Sequence, residues 1–125
     1  MTETMLAERF HAADRSISLE EIPIPHPGPG EVLMKVAYCG ICHSDLSLIN
    51  GAIPASLPVV TQGHEASGTI VEVGPGVTRW KEGDRVIPSA GRPCLKCRKC
   101  QRGAFTDCLD PVSYTHLTLP TSDLV

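Results

Sequence analysis

No stretch of this 125-residue chain approaches the roughly 18 consecutive apolar residues of a membrane-spanning helix, so membrane insertion is not expected. The N-terminus has no basic segment followed by an apolar core, so nothing in it marks the chain for secretion and the default compartment is the cytoplasm. Internal repeats are absent. No Gly-x-Gly-x-x-Gly turn follows a strand, so the chain lacks the phosphate-cradling loop of a dinucleotide-binding domain. An excess charge of one sign is also missing: the formal net charge is -3, which gives little attraction for nucleic acid.

The length leaves room for one modest core and not for a second full domain. Hydrophobic residues at 42% and charged residues at 20% fit a folded soluble domain rather than a disordered or fibrous one. Eleven Gly and eleven Pro are scattered along the chain, favouring short strands and turns over long helices, and the expected class is mainly β.

Residues 5–24 hold short apolar stretches, with Ser16-Ile17-Ser18-Leu19-Glu20 alternating as a half-buried strand does, and a hairpin is expected. The run Pro23, Pro25, Pro27, Gly28, Pro29, Gly30 removes backbone donors and should be an exposed connection. Residues 31–37 read as a mostly buried strand leading to Cys39-Gly40-Ile41-Cys42. A short helix is expected over 44–50, with Ser44 as N-cap and Gly51 where it stops. Further strands are expected over 66–73 and 85–88, separated by turns at Gly74-Pro75-Gly76 and Gly83-Asp84.

The segment 94–108 is too polar and irregular to be held by an apolar core and needs a staple. Cys94, Cys97 and Cys100 are spaced by two residues and Cys108 follows eight positions later, a set that suits a closed tetrathiolate zinc site. Arg92, Lys96, Arg98, Lys99 and Arg102 surround them with no acidic residue between Arg92 and Arg102, and should lower the thiol pKa values. An iron–sulfur cluster is a weaker reading, because the ferredoxin run has its fourth cysteine sooner with Pro after it, whereas Leu109 follows Cys108. A nucleic-acid-binding zinc ribbon and unpaired buried cysteines are the remaining alternatives.

Cys42 and His64 are far apart in sequence, so a shared metal would need the fold to join two loops. Cys with His is a ligand mixture used to polarise an alcohol or carbonyl oxygen, although a lone histidine after glycine is more often a loop or packing residue. Gly40-Ile41-Cys42-His43-Ser44-Asp45 and Gly63-His64-Glu65-Ala66-Ser67-Gly68 resemble the two zinc signatures of medium-chain zinc alcohol dehydrogenases. Val71-Glu72-Val73-Gly74-Pro75-Gly76-Val77 and Gly83-Asp84-Arg85-Val86 continue the resemblance in order, and the four-cysteine lobe falls where that family carries structural zinc.

The resemblance implies a GroES-like, partly open β-barrel with short helices and a Cys-rich zinc lobe, over residues 1–111. It implies Cys42 and His64 as catalytic zinc ligands, Glu65 as a neighbouring or transient ligand, and Asp45 orienting His64 through its other ring nitrogen. Ser44 matches the hydroxyl that takes the substrate proton, and His43 a position near the cofactor pyrophosphate. Implied cofactors are zinc and NAD or NADP, with a small-molecule alcohol or aldehyde as substrate and a homo-oligomeric full-length enzyme. Ser47 stands where many members have a proton-relaying histidine, and Leu95 where a glycine often follows the first lobe cysteine, with crowding of backbone donors to sulfur as the expected result. Cys39 has no ligand role and is read as a small buried hydrophobe.

The family's third catalytic ligand, a cysteine well downstream of the lobe, and its Rossmann domain are not found here. Residues 112–121 look like the conceptual translation of a transposase adapter used in sequencing libraries, so 112–125 is expected to be a non-native tail in which His116 is no ligand. On this reading the chain is an alcohol dehydrogenase fragment, inactive alone. The alternative is a freestanding zinc-binding interaction module without catalysis.

Overall fold

The computed structural model describes residues 3–55, 57–89 and 93–110. Arg92 and the segment 112–125, including His116, lie outside the described residues.

The expected hairpin forms from β1 (Thr4–His11) and β2 (Ser16–Pro23), paired antiparallel along their whole length. Asp14 shapes the turn by accepting hydrogen bonds from the Ser16 amide and hydroxyl at 3.1 and 2.7 Å. The short β4 (Val59–Val60) adds to the other edge of β1, giving a sheet of order β2-β1-β4 with Ala7 and Phe10 buried.

The second sheet, of order β3-β5-β6, joins β3 (Val32–Gly40), β5 (Glu65–Val73) and β6 (Arg85–Val86), all antiparallel. Its core is Val32, Met34, Ala66, Ile70 and Val86, with Val36, Cys39, Val73, Val77 and Trp80 packed around them. Cys39 is thus half-buried against the core, close to the small-hydrophobe role expected of it. Gly68 lets β3 and β5 approach, because a Cβ there would lie 2.3 Å from the Lys35 carbonyl oxygen and 2.8 Å from Met34 Cγ. No strand pairing links the two sheets among the described residues, so the β architecture is open. No described helix is long and apolar enough to cross a membrane.

Three features differ from the sequence expectation. Full burial in β3 is confined to Val32, Leu33 and Met34; the register shifts between Leu33 and Met34 and between Val36 and Tyr38, and Tyr38 is 80% exposed. The strand expected over 85–88 shortens to β6, since only Arg85 and Val86 pair with β5 and Pro88 has no N–H to extend the ladder. The helix α1 (His43–Ile49) begins before Ser44, with Cys42 as N-cap. Asp45, in the third helical position, draws the start back by accepting the Cys42 amide hydrogen at 2.9 Å. Gly51, at φ +85°, ends the helix as expected.

Candidate metal centres

The lobe at residues 93–110 is built around sulfur rather than carbon. Cys97 caps the short α2 (Arg98–Gln101), its sulfur accepting the Cys100 amide at 3.4 Å. The amides of Lys96 and Cys97 donate to Cys94 Sγ at 3.4 and 3.3 Å, and the Cys94 amide donates to Cys108 Sγ at 3.2 Å. A 3-10 turn, Phe105–Asp107, returns the chain so that all four sulfurs lie within 4.8 Å of one another.

These amide donors set the thiol chemistry. Amides of Leu109 and Cys100 lower Cys97 to about 6, and the Cys94 amide lowers Cys108, whereas burial pushes Cys100 up to about 12. The leading cause of lowering is therefore the backbone, not the lysines and arginines named from the sequence; Lys96, Arg98 and Arg102 are exposed. Amides aimed at sulfur favour the thiolate, the form a zinc tetrathiolate requires, so the residues fit that ion.

Leu95 adopts φ +61°, in the left-handed region where glycine is at ease. The expected crowding of donors does not occur: both amides still reach Cys94 Sγ, and the consequence of leucine is backbone strain instead.

The second centre lies at the end of the β3–β5 ladder, where Gly40 pairs with Glu65. β3 delivers Cys42 to the start of α1, while the crossover from β4 to β5 delivers His64 and Glu65. One ligand atom from each of Cys42, His64 and Glu65 lies within 4.8 Å of the others. Gly40 pairs with Glu65 across the ladder and leaves room for its carboxylate; a Cβ there would lie 2.7 Å from Oε2. Both nitrogens of His64 face polar groups: Nδ1 is 3.5 Å from Asp45 Oδ1, and Nε2 is 3.4 Å from Ser44 Oγ. His43 begins α1, and its carbonyl accepts the Ser47 hydroxyl at 3.1 Å. Thiol, imidazole and carboxylate form a donor set suited to a divalent transition metal.

Sequence reasoning missed Gln62 and Thr61, the buried polar residues of the His64 crossover. Neither lies in a periodic pattern or a ligand spacing, and no local signal marks them.

The alcohol dehydrogenase GroES-like domain matches residues 28–120. The alcohol dehydrogenase of Schizosaccharomyces pombe is 40% identical over 101 residues, covering 78% of this chain and 29% of that protein. Acetophenone reductase from Geotrichum candidum, solved in complex with NAD, superposes with TM-score 0.78 at 35% identity, covering 88% of this chain and 33% of that one. The cobalt- and zinc-bound thermostable alcohol dehydrogenase from Pyrobaculum aerophilum gives TM-score 0.77 at 36% identity, covering 86% and 33%. The chain spans 29% of the length of the Schizosaccharomyces protein. Its open two-sheet architecture is the GroES-like one, and this chain belongs to the alcohol dehydrogenase GroES-like domain family.

Proposed function

We propose that the chain is the metal-bearing part of a zinc-dependent alcohol dehydrogenase that converts an alcohol to an aldehyde or ketone with NAD or NADP. The observation that carries this reading is the presence of two donor sets of different kinds, one of four thiols and one of thiol, imidazole and carboxylate beside a serine hydroxyl. A purely structural module needs the first and has no use for the second.

In this reading Cys94, Cys97, Cys100 and Cys108 hold a structural ion, and Cys42 and His64 hold a catalytic one with Glu65 adjoining. On binding, zinc supplies Lewis-acid polarisation of an alcohol or carbonyl oxygen, and the nicotinamide supplies hydride acceptance or donation. Asp45 takes the proton-bearing Nδ1 of His64 and so leaves the Nε2 lone pair for metal. Ser44, whose hydroxyl lies beside Nε2, holds the position from which a substrate proton is accepted. Ser47 has its hydroxyl on the His43 carbonyl and no titratable group near neutral pH, so a proton leaving Ser44 takes another route. His43, at the start of α1, would lie near the cofactor phosphates.

The remaining ligand, the nicotinamide site and most of the substrate pocket would come from other parts of the enzyme, and the 125-residue chain alone should show no turnover. Sequencing the coding DNA through and beyond codon 125, then assaying the uninterrupted reading frame for alcohol-dependent NAD or NADP reduction, tests the reading. Turnover that Cys42→Ser abolishes supports it. A native stop codon directly after this segment, with metal bound in the lobe alone, supports the interaction module instead.

A further inference from the structure

Residues 61–64, which deliver His64, lie in neither sheet, although Thr61 and Gln62 are only 4% and 9% exposed. A buried crossover without a ladder must be fixed by other bonds. From β1, Arg9 Nη1 donates to Thr61 Oγ1 at 3.1 Å, and the Gln62 backbone N–H faces the Glu8 carboxylate. From the other side, Gln62 Nε2 donates to the Asp45 carbonyl on α1 at 3.1 Å. Asp45 in turn faces Nδ1 of His64 and holds the Cys42 amide.

Close packing does not do this work, because a cavity of about 320 Å³ opens between β1 and α1, with Glu8, Asp45 and Gln62 in its wall. Cys42 and His64 arrive on independent segments, and a metal site tolerates errors of only about 0.5 Å in its ligands. The two contacts that join α1 to His64 itself are longer, at 3.5 Å from Asp45 and 3.4 Å from Ser44. Glu8 Oε1 is buried with no partner, a cost that the fold carries while the same carboxylate anchors the Gln62 amide.

We propose that Gln62 is a positioning residue for the Cys42–His64–Glu65 site, clamping α1 to the His64 crossover, with Glu8 as the anchor of the clamp. The proposal rests on the reading that this trio takes a divalent cation. Its consequence is that Gln62 sets metal affinity and ligand geometry at this centre without touching the ion and without influence on the cysteine lobe.

The test uses the full chain, its lobe first filled with one equivalent of zinc, then titrated with cobalt(II) and followed by visible and thiolate charge-transfer absorption. Gln62→Ala should weaken cobalt binding on the order of tenfold and shift the ligand-field bands. Gln62→Glu keeps the size and the backbone amide but sets an oxygen against the Asp45 carbonyl, and should weaken binding at least as much. Far-ultraviolet circular dichroism and lobe zinc should stay unchanged in both. Cys42→Ser, as the reference, should abolish the cobalt signal. If Gln62→Ala and Gln62→Glu bind cobalt with wild-type affinity and spectrum while Cys42→Ser does not, the clamp is wrong and the site stands. If Cys42→Ser binds as well as wild type, or wild type binds no cobalt beside its lobe zinc, the site reading fails and the proposal with it.

Discussion

Asp45 Oδ1 lies 3.5 Å from His64 Nδ1, and the other oxygen of the same carboxylate caps Cys42, so one side chain addresses both segments of the second metal centre. Asp45→Asn keeps the shape but removes the charge that fixes the imidazole tautomer. Metal affinity at Cys42 and His64 should fall roughly 10- to 100-fold, with lobe zinc unaffected. Cobalt titration measures this, and an unchanged affinity would remove Asp45 from the site.

Leu95 holds a left-handed backbone at φ +61°, which costs a residue with a Cβ roughly 1–2 kcal/mol. Leu95→Gly relieves that strain, gives back part of it as unfolded-state entropy, and should stabilise the lobe by roughly 0.5–1 kcal/mol. Slower zinc loss to a competing chelator is the expected readout. Faster loss would show that the exposed leucine side chain contributes to the lobe after all.

Acid should loosen the β5–β6 turn. The Lys81 side chain and amide, at 2.6 and 3.0 Å, hold the Asp84 carboxyl below its ordinary value of 3.8. A lowered folded pKa contributes stability that is present above 3.8 and lost as pH falls through the lowered value. Asp84→Asn should therefore melt below wild type near neutral pH and converge with it as pH falls through the lowered value. A gap of constant size across that range would contradict the assignment. Glu8 works in the opposite sense: burial raises its carboxyl above 4.5, so its contribution is full below that pH and is lost as pH rises through the raised value.

Much of this fold was legible because it is written in local pattern. Alternation in residues 16–20 and the turn chemistry at Gly74-Pro75-Gly76 announced the strands, and the cysteine spacing announced the lobe. Where the structure departs, a competing group acted at short range: Asp45 moved the helix start to Cys42, and Pro88 cut β6 short. The pairing of Cys42 with His64 was legible only through resemblance, since their approach depends on a crossover between sheets. Gln62, Glu8 and the Gly40 cradle could not be read at all, because their meaning lies in partners far along the chain: Asp45, the Gln62 amide and Glu65.

The most direct test of the account is the metal content of the purified chain after exhaustive dialysis, counted beside Cys100→Ser with an absorption spectrum of each. About one zinc per wild-type chain, colourless, and none in Cys100→Ser is the expected result, because four local thiolates can supply on the order of ten kcal/mol of binding. No bound metal, a brown iron chromophore, or zinc retained undiminished in Cys100→Ser would contradict it.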